Sequence, residues 1–169
     1  LRLSELGLLD EAEDGSVQMH RLLVAFVGQG EEAVKAVEST LLLEARSLNR
    51  AGDPRPLLGW QFHLRHLTER AIDRGDNTAA NLCNELGFNL KAAGDLAGAR
   101  PYLERALGIR EELLGERHPD TASSLNNLGG LLQAMGDLAG ARPYYERALD
   151  IAVERLGPEH PNTRIYRRN

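Results

Sequence analysis

Residues 79–120 and 121–162 align without a gap, and 25 of the 42 positions are identical. No other feature of the chain constrains its fold as tightly. A sequence that returns at this period builds a row of equal units, each burying one face against the next, rather than a single wrapped core. The longest identical block runs from Gly94 through Asp95, Leu96, Ala97, Gly98, Ala99, Arg100 and Pro101 to Tyr102, and it returns residue for residue from Gly136 to Tyr144. The loop Leu114-Gly115, followed by His118-Pro119, returns as Leu156-Gly157 and His160-Pro161.

Within each unit the spacing predicts two helices. Leu82, Leu86 and Leu90 fall at i, i+4 and i+8, an apolar stripe that Leu125, Leu128 and Leu132 repeat one unit later. Gly94 and Gly136 stand where such a helix ends, since glycine takes the left-handed C′ conformation at little cost. Asp95 and Asp137 are placed to cap the second helix by accepting backbone N–H bonds. In that helix Ala99, Leu103 and Ala106 form the buried stripe, repeated by Ala141, Tyr145 and Ala148. Pro101 and Pro143 lie slightly past its first turn, where a mild bend or loosened bonding is expected. Gly115 or Gly157 ends the helix, His-Pro enforces an extended step, and Asp120 or Asn162 is expected to cap the next unit.

A worn copy lies upstream. Counting back one period from Gly94-Asp95 reaches Gly52-Asp53, and from Tyr102 reaches Trp60. Helices near 31–50 and 55–74 fit this frame. The unit as a whole resembles the 42-residue tetratricopeptide repeat of the kinesin light chain type. Leu86-Gly87, Ala99 and Ala106 carry the likeness in one copy, Leu128-Gly129, Ala141 and Ala148 in the next. Leu125-Asn126-Asn127-Leu128 and His118-Pro119-Asp120-Thr121 are especially close to that pattern. The resemblance covers half of the chain strongly and a further quarter weakly. It implies an all-α fold, a tetratricopeptide helical-hairpin solenoid, and a role in binding other proteins.

The first thirty residues follow a different rule. Asp14-Gly15 separates two short extended runs, a hairpin signal, and a short helix near Arg21–Val27 is expected to follow. This stretch resembles the wing and last helix of a winged-helix subdomain, as found where the nucleotide switch of STAND or NB-ARC ATPases joins its sensor repeats. In that family a Met-His-Asp motif reaches the phosphate of bound ADP. Met19-His20 matches it, and Arg21 stands in place of the Asp, so the resemblance implies a nucleotide-sensing role for His20 only in a larger parent protein. The chain carries no glycine-rich phosphate loop followed by Lys. The expected organisation is therefore 1–30 as the end of a winged-helix subdomain with a short β-hairpin, 31–76 as a degenerate repeat, 77–120 and 121–162 as full repeats, and 163–169 as the start of a further helix. With no initiator Met and a helical pattern at the C-terminus, the chain is expected to be a piece of a longer protein.

Composition narrows the function. Twenty-five acidic residues oppose 20 basic ones, a net charge of −5, which argues against a nucleic-acid partner. No apolar run approaches the roughly 20 residues that cross a bilayer, so no membrane partner is expected. Cys83 is the one cysteine; no intrachain disulfide forms, and a cytoplasmic location is expected. His63 and His66 lie three apart but lack a third ligand at suitable spacing, so no metal is expected. His118 and His160 recur with the repeat and are assigned to loop packing. Trp60, Tyr102 and Tyr144 share one register and are assigned to packing between units. No catalytic constellation and no cofactor site is found, and the chain itself is expected not to be an enzyme.

One polar constellation remains. Asn81, Asn84, Phe88 and Lys91 fall at i, i+3, i+7 and i+10, a face roughly opposed to the leucine stripe. Ser123, Asn126, Gly130 and Gln133 repeat it, and Asn127 joins from the edge. In tetratricopeptide stacks the first helices line the concave surface, so the resemblance implies that these residues tile a groove. Amides suit a groove that holds a peptide, because they donate to and accept from a backbone; the competing assignment is that they bond to the neighbouring helix. Arg46 and Asn49 extend the floor if the worn repeat stacks in register. The function expected is a protein-interaction module, the sensor or scaffold region of a larger signalling ATPase. The alternatives are a free-standing adaptor of the kinesin light chain kind and a winged-helix transcription regulator. Self-association through the C-terminal hairpin is expected as well, because an uncapped repeat leaves apolar surface open.

Overall fold

The computed structural model describes residues 9–11, 17–19, 31–51 and 61–169. Two short strands, β1 (Leu9–Glu11) and β2 (Val17–Met19), pair antiparallel with Leu9 opposite Met19. The Asp14-Gly15 turn, His20 and the helix expected near Arg21–Val27 lie outside the described residues, as do Gly52-Asp53 and Trp60. All other described elements are helical: α1 (Glu31–Ala51), α2 (Gln61–Ala71) with a 3-10 turn (Ile72–Arg74), α3 (Asn77–Ala92), α4 (Leu96–Leu114), α5 (Pro119–Ala134), α6 (Leu138–Leu156) and α7 (Pro161–Tyr166). No strand interrupts residues 80–160.

The repeat builds the stack as its stripes dictate. Leu82, Leu86 and Leu125 are fully buried, and Leu90, Leu128 and Leu132 nearly so. Ala99, Leu103 and Ala106 on α4, and Ala141, Tyr145 and Ala148 on α6, face them. Burying each leucine contributes about 1.5–3 kcal/mol. α3 packs on α4, α4 on α5, and α5 on α6, so each unit leans on the next. The first unit departs from this pattern: α1 and α2 make their main contacts with α3 rather than with each other. Polar ties run both within this unit and on to α3. Glu38, fully buried on α1, takes a two-pronged bond from Arg74, 2.8 Å on each side, and Gln61 on α2 donates to Asn89 on α3 at 3.1 Å.

Turn chemistry follows the sequence closely, with one correction. At the end of α3, Gly94 has φ +86°, its N–H bonds the Lys91 carbonyl, and the Asp95 N–H reaches back to the Leu90 carbonyl. This pair of bonds occupies two of the carbonyls that the helix end would otherwise strand. Asp95 and Asp137 then cap α4 and α6 through Gly98 and Gly140, each at 2.8 Å. Pro101 and Pro143 sit inside helices that continue through them. The correction concerns the caps of α5 and α7, expected from Asp120 and Asn162. The caps are His118 and His160, whose Nδ1 atoms accept from the N–H of Asp120 at 3.1 Å and of Asn162 at 3.2 Å. Pro119 and Pro161 take the first helical position, where a missing N–H costs nothing. Each helix therefore starts two residues earlier, and the histidines assigned to loop packing act as caps.

Candidate peptide-binding groove

The polar face of α3 and α5 sits where its spacing puts it. Asn81, Asn84, Phe88 and Lys91 are half-buried, as are Ser123, Asn126, Asn127 and Gly130, while Gln133 is exposed. Much of the amide chemistry is spent on joining one first helix to the next. Asn127 donates to Asn84 at 2.7 Å, and Asn169 donates to Asn126 at 2.7 Å, both across 43 residues. The bond recurs because the repeat recurs. One period earlier, Glu85 fills the Asn127 position and accepts from Asn49 at 2.8 Å and Arg46 at 3.3 Å. Arg46 and Asn49 thus reach the α3 face as the register requires. What these bonds leave without a partner among the described residues is the Asn84 and Asn126 amide N–H pair and the Asn127 carbonyl.

Lys91 is the exception on this face. Its ammonium lies 5.6 Å over the Phe88 ring and has neither a hydrogen-bond nor an ion-pair partner among the described residues. Burial pulls its pKa below the ordinary lysine value. Gly130 makes room for it: a Cβ there would meet Lys91 Nζ at 3.0 Å and Tyr145 Oη at 3.4 Å. Phe88 and Gly130 occupy equivalent positions, so one repeat supplies a ring and the next leaves the space in front of it. Gln133 accepts from Tyr145 Oη at 2.9 Å, which fixes the rim beside Lys91.

The other end of the face holds a residue that the spacing did not reveal. Arg110, on α4 and 5% exposed, donates to Asn81 at 3.0 Å, to Ser124 at 2.7 Å and to the Asp120 carbonyl at 3.1 Å. It fastens α3 to α5, and burial lowers its pKa. The signal was a mismatch: Ala152 holds the equivalent place in α6. Ser123 shares a 3.0 Å hydrogen bond with Tyr166. Elsewhere Tyr102 is buried and bonds Glu69 and Arg65, and Tyr144 packs half-buried on the core. Burial, then the neighbouring His66, lowers the pKa of His63. Among the described residues no group of His, Cys, Asp or Glu is arranged to hold a metal ion, and no helix is long and apolar enough to cross a membrane.

Known proteins place this geometry. Solved structures with the same fold include the nearly identical TPR-like repeats of a Podosopora anserina protein assigned as a kinesin light chain, at 21% identity and TM-score 0.64, covering 74% of this chain and 59% of that one. BtubC (BKLC) from P. vanneervenii matches at 18% identity and TM-score 0.62, covering 86% of this chain and 57% of that one. The chain thus spans under two thirds of the length of either. No curated protein matches it. The tetratricopeptide repeat model matches residues 77–152 and 120–169, more than half of the chain. With its stacked hairpins and recurrent first-helix ladder, the chain belongs to the tetratricopeptide repeat family.

Proposed function

We propose that the face of α3 and α5 is a groove that holds a segment of another protein, with Lys91 as its anchor for an acidic side chain. Repeats of this family generally mediate protein–protein interaction. The observation that carries the finer reading is the state of Lys91: a half-buried ammonium without a partner among the described residues, on the face that also presents the unspent amide N–H groups of Asn84 and Asn126 and the side-chain carbonyl of Asn127. A carboxylate supplied by a partner would restore what burial took from the ammonium. The Phe88 ring offers an apolar side chain a contact next to it, while Ser123 and Gln133 form the rim. Asn81 belongs to the floor, since Arg110 already engages it.

Peptides selected from a displayed random library on the whole protein test this reading. They are expected to carry an acidic residue, and Lys91→Gln is expected to weaken their binding about tenfold, in keeping with a charged hydrogen bond of about 1.5–3 kcal/mol. Neutral consensus peptides, or affinity that ignores Lys91→Gln, overturn it. Lys91 is a cleaner probe than Asn84, whose replacement also cuts the bond to Asn127.

The wider context we infer is the sensor or scaffold region of a larger signalling ATPase. Support comes from the short β-hairpin read around Asp14-Gly15 and from the Met19-His20 step, which resembles the winged-helix end of STAND or NB-ARC proteins. The complete coding sequence tests it: an upstream phosphate loop is expected. A chain without one favours a free-standing adaptor, for which the fold likeness to the Podosopora anserina repeats speaks.

A further inference from the structure

Tyr145 belongs to the buried stripe of α6, yet its polar end reaches the groove face of α5. The ring lies against the α5 backbone where that helix has no side chain: a Cβ on Gly129 would stand 3.0 Å from its Cδ1 and Cε1 atoms. The hydroxyl comes out one residue further on, 3.4 Å from where a Cβ on Gly130 would lie, and donates to exposed Gln133 at 2.9 Å. Lys91 arrives at the same spot from α3, its Nζ 3.0 Å from that Cβ position. The ammonium and the hydroxyl are therefore no farther apart than those two distances together. A second helix thus sets a donor beside one from a first helix, over a residue with no side chain of its own. The preceding unit has no such pair, since Leu103 stands where Tyr145 does and Phe88 where Gly130 does. Burial raises the Tyr145 pKa, so near neutral pH the hydroxyl keeps its proton.

We propose that Tyr145 is a specificity-determining residue of the α3–α5 groove: together with Lys91 it clamps one side-chain carboxylate of the bound segment, one oxygen on the ammonium and the other on the phenol hydroxyl. The clamp rests on the reading of Lys91 as an anchor and narrows it, because an ammonium alone takes an anion in any orientation. Two carboxylate oxygens, each accepting a charge-assisted bond of about 2.5–2.9 Å, bridge a gap of this size. The phenol has a single proton. When a carboxylate takes it, the Gln133 amide turns over and offers its NH2 to the Tyr145 oxygen, so the bond between these two survives with donor and acceptor exchanged. Gly130 is the condition for the clamp, since any side chain there enters the space that the two donors share.

A displayed random peptide library, selected in parallel on the whole protein and on its Lys91→Gln and Tyr145→Phe variants, tests the clamp. An acidic position is expected in the wild-type consensus and is expected to fade from both variants. The consensus peptide is then synthesised with an amidated C-terminus, so that only a side-chain carboxylate is read, and titrated beside a copy whose acidic residue is replaced by the corresponding amide. Tyr145→Phe keeps the ring against Gly129. It is expected to weaken the acidic peptide about tenfold and to leave the amide copy unchanged, which a purely structural role of the hydroxyl would not do. Gly130→Ala is expected to weaken the acidic peptide as well while melting no lower than the wild type. Acidic selection that is lost with Lys91→Gln but kept at equal affinity with Tyr145→Phe overturns the clamp and leaves Lys91 as the anchor. A wild-type consensus without an acidic position overturns both.

Discussion

Leu128 and Gln133 lie on one helix and face opposite surroundings: Leu128 is 2% exposed, Gln133 open to solvent. Leu128→Ala is expected to cost about 2–5 kcal/mol through a cavity between stacked hairpins. Gln133→Ala is expected to cost about 0.5 kcal/mol, although Tyr145 loses its acceptor to water. Denaturant midpoints of both variants check this, and equal shifts contradict the assignment of faces. Cys83 makes a second case. It is buried against α4, and burial pushes its thiol up to about 11. Near neutral pH it is therefore protonated as well as shielded. A thiol reagent is expected to leave it untouched in the native protein and to label it fully in guanidinium; fast native labelling contradicts its placement. The sequence made these faces legible because periodicity reports direction from the helix axis. It could not report contacts. That Asn84 meets Asn127, or that Arg110 reaches Asn81 and Ser124, depends on how far one helix slides along the next.

At the scale of the element, two glycines on neighbouring helices have opposite meanings. A Cβ on Gly87 would lie 2.6 Å from Leu103 Cγ and 3.3 Å from the Ala99 carbonyl. Gly87→Ala must therefore push α3 and α4 apart, and about 1–3 kcal/mol of destabilisation is expected. Gly108 has nothing within 4 Å of the same position. Gly108→Ala is expected to stabilise by about 0.5–1 kcal/mol, since it removes chain entropy from the unfolded state and adds no clash. Thermal melts of the two variants are expected to move in opposite directions; a shared sign contradicts the helix packing. Helix ends were legible where the residue has a single use, as at Gly94 and Asp95. They were misjudged at His118 and His160, because histidine is an uncommon cap. Its Nδ1 takes the part that Asp or Ser takes elsewhere, once Pro has claimed the first helical position.

For the whole molecule, the gapless repeat from 79 to 162 set the stack, and the worn copy before it set less. α1 rests on α3 through Arg46 and Asn49 on Glu85, and α2 through Gln61 on Asn89, while a buried Glu38–Arg74 pair ties α1 to the turn after α2, so counting back one period placed the helices without revealing how they pack. The face now assigned to a partner was visible as a row of polar residues. Its unpartnered ammonium was not, since Lys91 lies over Phe88 on its own helix and beside Gly130 on the next. The central claim is that this face receives a protein segment. Amide chemical-shift mapping of the isotope-labelled protein with a selected acidic peptide tests it most directly. The account predicts shifts concentrated at Asn84, Phe88, Lys91, Asn126 and Gly130, and lost with Lys91→Gln. Shifts confined to the outer faces of α4 and α6, with Lys91 silent, would contradict it.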